Sequence, residues 1–487
     1  MIELFVIGLV ILVLGYKFYS PYVLRQMQLD EGMEMPAHKL NDGVDYTPIS
    51  TRKSMLIQLL NIAGTGPIFG PILAALFGPI VLIFIPIGNI FAGAVMDLGF
   101  GVLSVKNEGK SLPVLARKYM GNWSVHIITF FTAALLLLVA TVFVVTPSNL
   151  LVQTFGIQDY FWWVISAVFA YFVLATVTPI QTIVARFYPI MGVSLLLGTA
   201  MLLIGTFWLI FSGAVSVPTI MTAGIFSASW HPNYGNPGFV PLLPGFIVAM
   251  ACGVISGFHT TQSPIVAKTL DSGKDVRKTF YGMMALEGAV AMVWAFAALA
   301  LFSSVDLQAA IVAGTPSYVV GLAAEMTLGP LAIFLIFIVI LFPITSGDTA
   351  FRALRSVFAE LLNIDQKAIR SRLLIAIPLF AASIALVFIG FGPLWAWFVW
   401  SNHMLSVMSL LLITGYLKSI GTNYWVTLIP LFSLFLLNML YIFTDASIGA
   451  GLSYGIGLIA AIITVAVFGG FSLKYSNSWR GSIIDEK

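Results

Sequence analysis

The chain has 487 residues, of which 59% are hydrophobic and only 9% charged, with a net charge of +3. Soluble domains carry roughly 25% charged residues, so too little charge is present to cover a water-facing surface of this size. A soluble enzyme and a nucleic-acid-binding protein are thereby disfavoured, and the single cysteine, Cys252, excludes a disulfide framework or a cysteine-based metal site.

Apolar runs predict an all-α polytopic membrane protein, with helices at 4–24, 54–77, 79–104, 124–146, 160–182, 187–210, 243–268, 280–303, 328–349, 373–390, 392–415, 425–443 and 449–472, about thirteen in all. The first follows Met1, Ile2 and Glu3 without a basic n-region or a cleavage site, which reads as a retained helix rather than a signal peptide. One long apolar stretch must be cut in two around Gly78 and Pro79. Under this division the Lys and Arg residues collect on one side, and the alternate loops 147–159, 211–242, 304–327 and 444–448 contain none. Basic loops stay in the cytoplasm, which places the N-terminus outside and the C-terminus inside the cell.

Two spans are poorly suited to being continuous helices. The span 54–77 contains Gly64, Thr65, Gly66, Pro67, Gly70 and Pro71, and the span 243–268 contains Gly253, Gly257, His259, Thr260, Thr261, Gln262, Ser263 and Pro264. Proline removes an internal hydrogen bond, and unwound backbone at membrane depth must face protein or a water-filled cavity. Each broken span is followed by four more helices, and the two sets run in opposite orientations. This is a 5+5 inverted-repeat transporter plan, with substrate bound near the midplane. The expected organisation is an extra helix and cytoplasmic loop (1–53), a first repeat (54–210), an external loop (211–242), a second repeat (243–415), and two further helices with a tail (416–487).

Polar side chains inside the spans mark candidate sites. Asp97, Glu287 and Asp348 are carboxylates without an expected basic partner at similar depth, so each would take up a proton or coordinate a cation. Thr345 and Ser346, beside Pro343 and Asp348, supply hard oxygen donors, and a cation site at Gly64, Thr345 and Ser346 is one reading. Helix packing by small hydroxyl residues is the other. His259 is a candidate proton relay or substrate contact. Gly64, Thr65, Gly66 and Pro67 with His259, Thr260, Thr261, Gln262 and Ser263 form the expected substrate-binding set. No Walker loop, dinucleotide fingerprint, HExxH or CxxC motif is present, and no cofactor or partner protein is called for beyond the lipid bilayer and a small-molecule substrate.

The stretches IAGTGPIFGP (62–71), AGAVMD (92–97), ACGVISGFHTTQSP (251–264), YGMMALEGAVAMVWA (281–295) and FPITSGDTAFRALR (342–355) resemble the hallmark blocks of the carbon starvation protein family, CstA. The resemblance implies an inner-membrane transporter related to the amino-acid/polyamine/organocation superfamily. It further implies a LeuT-like fold, that of the sodium-coupled amino-acid transporters, and short peptides or pyruvate as substrates, with H+ or Na+ as coupling ion. Gly64, Gly66, Pro67, Gly70 and Pro71 match the first broken helix, and His259, Thr261, Gln262, Ser263 and Pro264 the second. Asp97, Glu287, Thr345, Ser346 and Asp348 match the polar positions of the other blocks. Where many relatives carry a histidine pair before the first block, this chain has Ile57 and Gln58, and it is shorter than the peptide-linked members. The expected function is therefore secondary active import of a small nutrient, a short peptide or a pyruvate-like carboxylate, with H+ favoured over Na+. A sodium-coupled amino-acid or small-solute symporter is the alternative, and a channel or a membrane sensor is one of a different class.

Overall fold

A computed structural model describes residues 1–42, 46–177, 180–217, 251–362, 364, 366 and 368–476. Ten helices among the described residues are long and apolar enough to cross a membrane, or eleven if one bent pair is a single span; of the thirteen expected, the span 243–268 is described only from residue 251 and the last is a shorter apolar helix, Tyr454–Gly470.

The chain opens with α1 (Ile2–Gln26), which contains a π-helical turn at Gly15–Tyr19. The first broken span is α2 (Thr51–Ala63) and α3 (Gly66–Ala74), bent by 46°. Gly78 ends it, and α4 (Val81–Lys106) follows with a π turn at Asn89–Gly93. A short α5 (Leu112–Met120) leads to α6 (Asn122–Thr154), then α7 (Phe161–Val177) and α8 (Ile180–Phe211). The second broken span is described from residue 251 on, as α9 (Ala251–Val254) and α10 (Gly257–Ala267). Then come α11 (Met283–Leu301), α12 (Ser304–Leu328), α13 (Ala332–Leu362), α14 (Ile369–Val387), α15 (Phe391–Ser419), α16 (Trp425–Thr444) and α17 (Tyr454–Ser476).

The expected cut at Gly78 and both expected breaks are present. The expected external loop 211–242 lies, from residue 218 on, outside the described residues. Two expectations are corrected. Residues 304–327, read as a loop, form a helix bent at Gly314 and Thr315, where φ and ψ leave the helical region. The helix expected to stop at 349 continues to Leu362, so Arg352 and Arg355 are buried side chains at 4% and 8% exposure rather than loop residues.

A segment between α1 and α2 lies across the basic end of the bundle. The Ile49 N–H donates to the Thr269 carbonyl at 2.9 Å, forming an isolated bridge between Ile49 and Leu270. Thr51 Oγ1 donates to Asp275 Oδ2 at 2.7 Å, and His38 Nε2 lies 2.9 Å from Asp271 Oδ1. Lys39 Nζ donates to Glu108 Oε1 at 2.7 Å. That bond holds the Glu108 carboxyl below its ordinary range and the Lys39 ammonium above its own.

Candidate functional site

The first break is dictated by Gly64. Its φ of +46° belongs to the region that side-chain-bearing residues avoid, and a Cβ there would lie 2.4 Å from the Phe143 ring of α6. Pro67, just inside α3, has no N–H to leave unpaired at a helix start. The second break falls at Ile255 and Ser256, where Ser256 is extended (φ −145°, ψ 119°). The half before the second break lies close to the half after the first: a Cβ on Gly253 would lie 2.5 Å from Ala291 Cβ and 3.9 Å from Pro67 Cα. Phe143 joins the two breaks from α6, reaching Gly64 and packing edge-on against Phe258 with ring centroids 6.0 Å apart.

His259, in the first turn of α10, sits between two carboxylates from neighbouring helices. Its Nδ1 is 2.9 Å from Asp97 Oδ2 on α4, and its Nε2 is 3.6 Å from Glu287 Oε2 on α11. All three side chains are fully buried. The two acids address opposite edges of the imidazole, so they do not converge on one point. No group of three His, Cys, Asp or Glu among the described residues is placed to hold a metal ion.

Around this row lie buried polar atoms with no hydrogen-bond partner among the described residues. They are both carboxamide atoms of Gln58 and of Asn61, the Thr65 hydroxyl, Gln262 Oε1, Asp97 Oδ1, His259 Nε2 and both Glu287 oxygens. Gln58 and Asn61 are three residues apart and so share a face of α2, and α2 packs against both α10 and α11.

The structure brings together only part of the expected set. Thr65, His259, Gln262, Asp97 and Glu287 hold polar atoms at the breaks. The hydroxyls of the other α10 residues are occupied within their own helix: Thr260 donates to the Gly257 carbonyl (2.7 Å), Thr261 to the Phe258 carbonyl (2.7 Å) and Ser263 to the His259 carbonyl (3.0 Å). On α13, Thr345 donates to the Phe342 carbonyl at 2.7 Å, while Ser346 Oγ donates to the Leu60 carbonyl of α2 at 3.2 Å.

Two further expectations are corrected. Asp97 has a basic partner after all, His259. Asp348 has another: Arg352, one turn further along α13, donates from Nε to Asp348 Oδ1 at 2.7 Å and from Nη2 to the Ala175 carbonyl of α7. Asp348 is thus half of a buried ion pair, which lowers its value as a cation ligand. Sequence reasoning also passed over Gln58, Asn61, Phe143 and Arg352 as site or support residues. The first two were detectable as carboxamides inside an apolar run, three residues apart.

Two broken helices that meet at a buried polar centre, in an all-α polytopic membrane chain, give a fold similar to that of inverted-repeat transporters. Crystal structures of a manganese transporter from Eremococcus coleocola share that fold: one mutant superposes with a TM-score of 0.54 at 13% identity, covering 93% of this chain and 97% of its own. The same transporter in complex with an aromatic bis-isothiourea compound gives 0.55 at 14% identity, covering 90% and 99%. The model of the carbon starvation protein CstA family matches residues 1–163 and 145–330, and the chain belongs to that family. It is 36% identical over 343 residues to an uncharacterised membrane protein of Haemophilus influenzae, covering 62% of this chain and 92% of that one. It is 24% identical over 361 residues to the peptide transporter CstA of Bacillus subtilis, covering 62% of this chain and 58% of that protein.

Proposed function

We propose that this protein is a secondary active transporter that imports a small polar nutrient, a short peptide or a pyruvate-like carboxylate, by proton-coupled alternating access. The observation that carries the proposal is the row Asp97–His259–Glu287, buried where the two broken helices meet. An imidazolium between two carboxylates leaves the row one charge negative, and one further proton makes it neutral. An uncompensated charge is costly away from water, so the two states differ in how readily the site exists without solvent or solute. That difference is what coupling a proton to a conformational change requires.

Each unpaired buried polar atom costs about 1–3 kcal/mol, and the bilayer offers no partner. A bound polar solute supplies one. The carboxamides of Gln58 and Asn61 offer donors and acceptors together, as the amide of a peptide does, whereas pyruvate uses donors alone. The likeness to the peptide transporter CstA of Bacillus subtilis supports the peptide. In this reading residues 54–210 and 243–415 are the two inverted repeats, flanked by 1–53, the external loop 211–242 and 416–487. The protein sits in the cell's inner membrane with its N-terminus outside.

Purified protein in liposomes is expected to accumulate labelled dialanine under an inside-alkaline pH gradient and to lose the accumulation when an ionophore collapses it. Labelled pyruvate run in parallel separates the two substrate classes. Absence of uptake for both compounds, with pH and sodium gradients alike, removes the proposal.

Sodium coupling is a second reading, favoured by Ser346 Oγ reaching the Leu60 carbonyl of α2 close to the Gly64 break. It expects that Ser346→Ala or Thr345→Ala raises the sodium concentration for half-maximal uptake about tenfold, the effect of losing one oxygen ligand worth about 1.4 kcal/mol. Uptake of the unaltered protein that is indifferent to sodium eliminates it.

A further inference from the structure

A break in a helix leaves carbonyls without partners at the end of one half and N–H groups without partners at the start of the next. At the second break these groups are buried, and no side chain from the break itself caps the start of α10. Two asparagines from other helices meet the need with opposite ends of the same functional group. Asn89, in the π turn of α4, is fully buried and donates from Nδ2 to the Gly253 carbonyl of α9 at 3.0 Å and to the Met284 carbonyl of α11 at 2.9 Å. Asn402 of α15, also fully buried, accepts at Oδ1 from the Phe258 N–H at 2.9 Å and from Ser256 Oγ at 3.1 Å.

The surrounding backbone is shaped for both contacts. A Cβ on Gly93 would lie 2.1 Å from the Val254 carbonyl oxygen, one on Gly288 would lie 2.6 Å from Asn89 Nδ2, and one on Gly257 would lie 2.5 Å from the Asn402 carbonyl oxygen. Helices α4, α11 and α15 can approach the break this closely only because these residues have no side chain.

We infer that Asn89 and Asn402 are paired positioning residues of the transport cycle, a donor clamp on the outgoing half-helix and an acceptor clamp on the incoming one. Each half of the broken span is fastened to a different helix, α9 to α4 and α10 to α15, so the joint at Ile255 and Ser256 can bend while its backbone stays hydrogen-bonded. Asn402 also sets the direction of the first turn of α10, which carries His259. Asn89 Oδ1 has no hydrogen-bond partner among the described residues, and both residues are assigned to the helices they hold rather than to the solute.

The chemistry makes the two positions respond differently to one substitution. At position 402 aspartate keeps the acceptor for the Phe258 N–H and the Ser256 hydroxyl, and the N-terminal end of α10 offsets part of the cost of burying its charge. The same change at position 89 sets a carboxylate against two carbonyl oxygens. In liposomes, Asn402→Asp is expected to retain a maximal rate of dialanine uptake at least about threefold above that of Asn89→Asp. Asn402→Leu and Asn89→Asp are expected to lower it at least about tenfold, with KM changed less than about twofold, since a buried hydrogen bond is lost but no solute contact is.

The thermal unfolding midpoint of the purified proteins is read in parallel: Asn402→Asp should unfold at a clearly higher temperature than Asn89→Asp. That readout stands whether or not dialanine or pyruvate is carried, so it separates this inference from the transport reading. Should Asn402→Leu fail to fold, the contrast between aspartate at 402 and aspartate at 89 still decides. Equal tolerance or equal loss at the two positions, or a change confined to KM, overturns the assignment.

Discussion

Glu287→Gln is expected to abolish accumulation against a gradient, to about one tenth of the unaltered protein or less, because a carboxamide keeps the shape of the acid but cannot carry its proton. Exchange of labelled for unlabelled solute at equal pH on both sides should survive, since exchange needs no net proton movement. His259→Ala should lose both activities. Its ring is the piece that spans Asp97 on α4 and Glu287 on α11, and removing it leaves two buried acids facing one cavity. The measurement is dialanine uptake under an imposed pH gradient beside counterflow at pH 7. Full pH-driven accumulation in both variants means that this row is not the proton carrier.

The second large effect concerns stability. Arg352 and Asp348 are 4% and 1% exposed, and the guanidinium also reaches the Ala175 carbonyl on α7. Breaking a buried pair by removing one partner leaves the other charge uncompensated, at a cost of about 3–5 kcal/mol. Arg352→Met should therefore lower the unfolding midpoint of the purified protein sharply. The double variant Asp348→Asn with Arg352→Met should recover much of the loss, because no lone charge remains. A midpoint unchanged in Arg352→Met rules out a stabilising role for the pair, and a double variant worse than the single one points to a separate packing role for Asp348.

Most of the spans and both breaks were readable because each rests on local chemistry. A run long enough for the hydrocarbon core, a Gly-Thr-Gly-Pro stretch and a cluster around Gly257 each act within a few residues of themselves. What escaped reading depends on distance in the chain. Asp97 and His259 are 162 positions apart, so each could be marked as polar and buried, but not as a pair. The clamps Asn89 and Asn402 face partners across separations of 164 and 144 positions.

The α12 error has another cause. Asp306, Gln308, Thr315, Ser317 and Glu325 depress the hydropathy of 304–327, and low hydropathy argues against crossing lipid without arguing against a helix. Arg352 reads as a loop residue only on the assumption that a charge marks a loop. Its spacing of four residues from Asp348 is that of neighbours on one helical face, and it could have been weighed against that assumption.

The segment crossing the basic end has a consequence for how the protein can move. Through Ile49 and Thr51, the start of α2 is hydrogen-bonded to Thr269 and Asp275, in the stretch joining α10 to α11. A hinge that peeled α2 outward alone would first have to unzip this seam, forfeiting about 0.5–1.5 kcal/mol for each hydrogen bond not replaced by water. A swing that carries α2, α10 and the first turn of α11 as one lever breaks none of them. The ends of the two broken helices on that side are yoked, and the bending is left to the joints at Gly64 and Ser256, beside the Asp97–His259–Glu287 row.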